Sequence, residues 1–123
     1  MTWYMIRLDL ARTRDFPDGS REHCYLLCVP LDVHDIIDGE ALAGRPDRAT
    51  VLRSWPDAPE MTGYLVHKRK GWTFSYAPGD ADDEPLFHLE THPLREGEYV
   101  TVTERDGTPL AFEIVSRAAL DLI

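Results

Sequence analysis

Apolar and polar residues alternate most cleanly near the C-terminus. Val100 and Val102 fall on one side of a short run, then Leu110, Phe112 and Ile114 resume the pattern beyond Asp106-Gly107. Asp-Gly is a hairpin dipeptide, because the glycine accepts the positive φ that a tight turn demands. The pattern predicts a β-hairpin over residues 98–116. Residues 3–10 alternate in the same way, with Tyr4, Ile6, Leu8 and Leu10 on one face and Arg7 and Asp9 on the other. That is a half-buried strand. Residues 23–31 are apolar at both parities, as in a strand buried on both faces, and Pro30 is expected to end its pairing because it has no N–H.

Further along, Val51 to Trp55 predicts a short strand, broken by Pro56-Asp57-Ala58-Pro59. Tyr64 to His67 and Trp72 to Tyr76 predict a second hairpin around Lys68-Arg69-Lys70-Gly71. Trp72, Phe74 and Tyr76 share one face of it, and Leu86 to Thr91 reads as another short strand. Helix signals are sparse. Asp38 can cap a turn or two through Glu40-Ala41-Leu42-Ala43, stopped by Gly44 and Pro46, and Ser116 can cap a last turn through Ala118 to Leu120. Ala11 to Glu22, with Phe16 as its one aromatic anchor, and residues 32–49 read as long loops, and Gly79 to Pro85 as an acidic, solvated one.

Six to eight short strands at close spacing predict an all-β or β-dominated α+β fold. The expected architecture is a small Greek-key-like barrel with one short helix near residues 39–44. The rival is an α+β sheet with that helix on one side. A chain of 123 residues makes one domain, spanning 1–123, and is long enough to bury a core without disulfides or metal.

Arg12, Phe16-Pro17, Gly19-Ser20, Tyr25, Pro30-Leu31-Asp32, Ile37-Asp38, Trp55, Gly63 to Lys68 and Trp72 to Tyr76 form a pattern along nearly the whole chain. It resembles a family of small uncharacterised, mostly proteobacterial proteins. That resemblance implies a bacterial protein and no particular activity, so it transfers no functional residues. Leu94, Gly97 to Val102 and the Gly107 turn also resemble hairpins of Greek-key barrels in translation-factor and flavin-reductase domains. This second likeness implies topology alone.

Charge narrows the partners. Twenty-two acidic against thirteen basic side chains leave a net charge of −9. Such a field repels phosphate backbones, so a nucleic-acid partner is not expected. The one dense basic stretch is His67-Lys68-Arg69-Lys70, at a turn. No uncharged apolar run approaches a membrane span and the N-terminus lacks a cleavage signal, so cytoplasmic residence without membrane contact is the expectation. Cys24 and Cys28 lie about 13 Å apart if their run is a strand. A disulfide needs Cα atoms within about 7 Å, so the expected state is two buried thiols.

Motifs that would carry chemistry fail at diagnostic positions. His88 and His92 have helical metal spacing but lie in strand or loop sequence ahead of Pro93, and Cys24, Cys28 and His67 lack a ligand motif. Asp80, Asp82 and Glu84 alternate like calcium ligands, yet Pro85 stands where that loop needs glycine and Thr91 where it needs a bidentate Glu. Gly19-Ser20 is not a nucleophile elbow, and both cysteines sit in apolar sequence that disfavours the thiolate. The eight glycines are scattered and form no phosphate cradle. No catalytic residue, metal ligand or cofactor is therefore assigned.

What remains is a set of aromatics near the basic turn. Trp55, Tyr64, His67, Trp72 and Tyr76 are the candidate ligand- or partner-binding residues of a non-catalytic binding or protein-interaction module, compatible with a homodimer. Its partner would be a protein or a small molecule. The alternative is a small enzyme of hydrolase or flavin-binding type, with a cleft between barrel and loops carrying Asp32, Asp38, His67 and His88.

Overall fold

A computed structural model describes residues 1–120. Its strands are β1 (Thr2–Leu10), β2 (Ser20–Leu31), β3 (Thr50–Ser54), β4 (Met61–Lys68), β5 (Gly71–Ser75), β6 (Glu84–Pro85), β7 (Tyr99–Thr103) and β8 (Pro109–Ala119). They form one antiparallel sheet in the order β6-β5-β4-β3-β2-β1-β8-β7. The two ends of this sheet meet again. Leu86, directly after β6, bridges Val102 of β7, and the Phe87 N–H donates to the Thr101 carbonyl at 2.9 Å. The result is the expected small barrel, nearly closed. Its strands follow one another around the wall in an up-and-down order and β8 returns beside β1, so each connection joins neighbouring strands without crossing the barrel.

Period-two alternation decides which side chains enter the barrel. Ile6, Leu8 and Leu10 of β1, Tyr25, Leu27 and Val29 of β2, Val51 of β3, Leu65 of β4, Phe74 of β5, Val100 and Val102 of β7, and Phe112 and Ile114 of β8 are all buried. The Tyr25 ring lies 5.1 Å from Phe74 and 4.9 Å from Phe112, centroid to centroid. An eight-stranded barrel is just wide enough for side chains to fill it. Register shifts at Arg7/Leu8 against β8 and at Asp9/Leu10 against β2 mark irregular pairing of β1 on both sides. Bulges of this kind bend a strand, as a closing wall requires.

Helix α1 (Gly39–Gly44) forms where the cap signal placed it, with the Asp38 carboxylate accepting from the Ala41 N–H at 3.0 Å. Leu42 is its buried residue, and a 3-10 turn over Pro46–Arg48 follows. The preceding loop is fastened by Asp35, which has φ 64 and pairs with Arg95 at 2.7 Å and Arg117 at 2.8 Å. The Arg95 hydrogen bond, with Arg117 behind it, holds the Asp35 carboxyl below the usual carboxylate range.

Five local expectations are corrected. Strand β2 begins at Ser20, so the preceding loop ends at Gly19. Pro30 does not end β2. It pairs with Trp3 and the strand runs to Leu31; β3 reaches only from Cys24 to Leu27 along β2, so no ladder partner on that side calls for the missing N–H. Residues 116–119 extend β8, because β1 offers partners from Tyr4 to Arg7. Glu84 and Pro85 leave the acidic loop to pair with Phe74 and Thr73 as β6. Residues 87–91 make turns rather than a strand, with His88 at φ 49 and with Leu86 and Leu89 both buried. Leu86 and Leu89 are buried at a spacing of three, which turns allow, and not at the spacing of two that a strand imposes.

One glycine is fixed by close backbone approach. A Cβ on Gly63 would stand 2.2 Å from the Ser75 carbonyl oxygen across the β4–β5 pair. The obstacle is main chain and cannot rotate away. Gly63→Ala is expected to destabilise the protein by about 2 kcal/mol, as overpacking does. The urea midpoint against wild type checks this; an unchanged midpoint would mean the two strands part freely there.

Candidate functional site

A charged cluster sits inside the barrel wall. Glu84 (1% exposed) and Arg53 (6%) are its buried members. Their place follows from register: Arg53 has the same parity as Val51 and pairs with Tyr25, while Glu84 pairs with Phe74. Both therefore point inward with the core side chains. The Glu84 Oε1 accepts from the Tyr25 hydroxyl at 3.1 Å and from the Tyr76 hydroxyl, and Oε2 accepts from the Arg53 Nε at 3.3 Å. The Arg53 Nη2 lies 3.6 Å from Glu104 Oε1, and the guanidinium stacks over Trp55 at 3.7 Å from the ring centroid.

Burial raises the pKa of both tyrosines well above that of a free phenol, and the Glu84 charge raises it further. They remain hydroxyl donors throughout the working pH range. Glu104 is pushed up as well, by burial first and by Asp106 next, with Arg53 opposing. Glu84 thus has a partner on each oxygen. Its chemistry is cohesive: it joins β2, β3, β6 and the end of β5.

Outside this cluster a groove of about 880 Å³ runs along the barrel seam. The β4–β5 turn (Lys68, Arg69, Lys70), the loop after β5 (Gly79, Asp80, Ala81, Asp83) and the β7–β8 turn (Glu104, Arg105, Gly107) line it together with Thr73, Pro85 and Thr103. Lys68 is bound to Asp83 at 2.6 Å and to the Gly79 carbonyl at 3.1 Å, and Arg105 to Asp82 at 3.1 Å. Glu104 belongs both to this groove and to the internal cluster.

The five aromatic candidates do not form one surface. Trp55 and Tyr76 meet at the Glu84–Arg53 cluster; Trp55 is half-buried, with His23 against it at 4.9 Å and its Nε1 buried without a partner among the described residues. His67 and Trp72 pair edge to face at 5.0 Å, with Trp72 buried and the exposed His67 also 3.7 Å from Glu90. Tyr64, half-exposed, stands on the outer wall of β4 beside Met5, Leu26 and Leu52.

The polar candidates are engaged locally. Asp32 accepts from the His34 and Ile36 N–H groups, Asp38 caps α1, and His88 packs on Phe87 at 4.0 Å. Cys24 and Cys28 are free and buried, and burial raises both thiols. Among the described residues no three His, Cys, Asp or Glu side chains converge as metal ligands would. No helix among them is long and apolar enough to cross a membrane.

Arg53, Glu84, Glu104 and Tyr25 went unrecognised as a set. The available signal was parity: in Thr50–Ser54, Arg53 shares the face of Val51, and an inward charge demands an inward partner. No family model, curated protein or solved structure matches the chain.

Two outcomes test the cluster. Arg53→Met leaves the Glu84 charge buried and is expected to cost about 3–5 kcal/mol. Adding Glu84→Gln removes that charge while keeping an oxygen for the tyrosines, and should recover most of the loss in a denaturant titration. Glu104 gives a pH signature. Its folded pKa lies above the unfolded one, so its contribution is complete at acid pH and is lost as pH rises through the raised value. Glu104→Gln should therefore melt higher than wild type at neutral pH, with the difference closing below the ordinary carboxylate range. A difference that instead grows in acid would reverse the assignment.

Proposed function

We propose that this protein is a non-catalytic binding module whose ligand site is the groove along the barrel seam. The observation that carries this reading is the contrast between the two polar regions. The internal carboxylate is fully engaged in holding the wall together, whereas the groove is open, wide and lined by side chains of both charges. Its volume of about 880 Å³ lies in the range of specific ligand sites, roughly 300–1,000 Å³. Thr73, Pro85 and Thr103 supply an uncharged floor, and the three turns around it can adjust to a ligand.

One observation favours the enzyme reading: Glu104 lines the groove and holds its proton more tightly than an ordinary carboxyl. A raised acid in a cleft is a general-acid arrangement. Turnover of p-nitrophenyl esters or glycosides that Glu104→Gln abolishes would put this reading first.

The binding reading is tested by titrating ¹⁵N-labelled protein with short peptide pools of acidic, neutral and basic composition. Amide shifts at Thr73, Thr103 and Arg105 under at least one pool are expected. Shifts confined to other faces, or none with millimolar peptide, would remove the groove as a peptide site.

A further inference from the structure

We infer that the ligand of the seam groove is an acidic peptide segment, held by Arg69 and Lys70 at the β4–β5 turn. This rests on the binding-module reading and goes beyond it by naming the partner's chemistry.

Four cationic side chains line the groove. Lys68 and Arg105 already have carboxylates, Asp83 and Asp82. Arg69 and Lys70 are exposed, adjacent at the tip of the turn, and have no hydrogen-bond or ion-pair partner among the described residues. An incoming carboxylate can therefore gain two cations without breaking an internal pair. An incoming cation finds the opposite situation: Asp83 and Asp82 are taken, Glu104 faces Arg53, and among the described residues only Asp80 of the acidic lining has no side-chain partner.

The turn that presents the two cations is a tight one, closed by Gly71. Gly71 has φ +97, and the space a Cβ would take is filled by the Glu90 carboxylate at 2.4 Å. Arg69 and Lys70 stand next to each other at the tip of this hairpin, so one extended segment can reach both.

The net charge of −9 does not forbid this. At physiological ionic strength charges beyond about 8 Å are screened, so the nearest side chains decide the contact. It does select against nucleic acid. Duplex DNA carries a phosphate charge about every 1.7 Å, and most of those would face Asp80, Asp82, Asp83 and Glu104. An extended peptide repeats a side chain on one face only about every 7 Å, so one or two carboxylates can meet Arg69 and Lys70 while neutral residues cross Thr73, Pro85 and Thr103.

The test is fluorescence anisotropy with four labelled probes: an octapeptide of Asp, Glu and Gly, its Asn/Gln counterpart, its Lys counterpart, and a thymidine octanucleotide. The acidic peptide should bind best, and more weakly as sodium chloride is raised. Arg69→Gln with Lys70→Gln should weaken it roughly tenfold, as expected for two exposed pairs. Both positions are exposed turn sites, and an unchanged melting temperature would confirm that the variant folds. Equal or tighter binding of the amide or lysine peptide would overturn the acidic assignment and leave the binding module standing. Tighter binding of the oligonucleotide, or an acidic peptide indifferent to the double variant, would overturn it too. Failure of every peptide, with no groove amide shifted by any pool, would take the binding-module reading down with it.

Discussion

The buried pairing of Glu84 with Arg53 is the constraint on which this barrel depends. Strand β6 has two residues, and one of them is a proline that offers no N–H. Backbone hydrogen bonding alone is a weak way to close a wall there. Glu84 adds a side-chain junction at that point, reaching β2 through Tyr25, β3 through Arg53 and the end of β5 through Tyr76. A carboxylate this buried is tolerable only with its oxygens satisfied, and each accepts at least one hydrogen bond. The cluster thus replaces ladder hydrogen bonds where the ladder is shortest.

That arrangement also shapes the surface. Because β6 is short, the seam opens into a groove between the loop after β5 and the two neighbouring turns instead of a continuous sheet face. The exposed margins are guarded in the way edge strands commonly are, by a proline and by charged side chains at the neighbouring turns. Lys68–Asp83 and Arg105–Asp82 tie the loop to the turns on either side. Glu104 stands at the junction of the two systems. It faces Arg53 inside and the groove outside, so a change in its protonation would be felt by both the wall and whatever lies in the groove.

Much of the fold was legible because local rules and the tertiary structure agreed. Asp106-Gly107 set the last hairpin, Asp38 capped α1, and alternation in β1, β5, β7 and β8 named the inward residues. The site was far less legible. Glu84 lies in a stretch of acids and prolines whose composition is that of a solvated loop, and nothing within a few residues announces its partners. Arg53 is 31 positions away and Tyr25 is 59. The groove unites residues from 68 to 107 that no local window joins.

By itself, then, the sequence determined the class of object: short antiparallel strands around an apolar interior, a single short helix and a strongly acidic surface. Period-two patterning, turn residues and caps act over a few residues, so they can be read without knowing what packs where. Tertiary structure decided the rest. It turned Ser116 to Ala119 into strand because β1 offered a free edge, and it carried β2 through Pro30 because β3 had already ended. It also made a loop acid into the pin of the barrel. Each outcome depends on a partner distant in sequence, whose hydrogen bonds and exclusion of water outweigh the local preference.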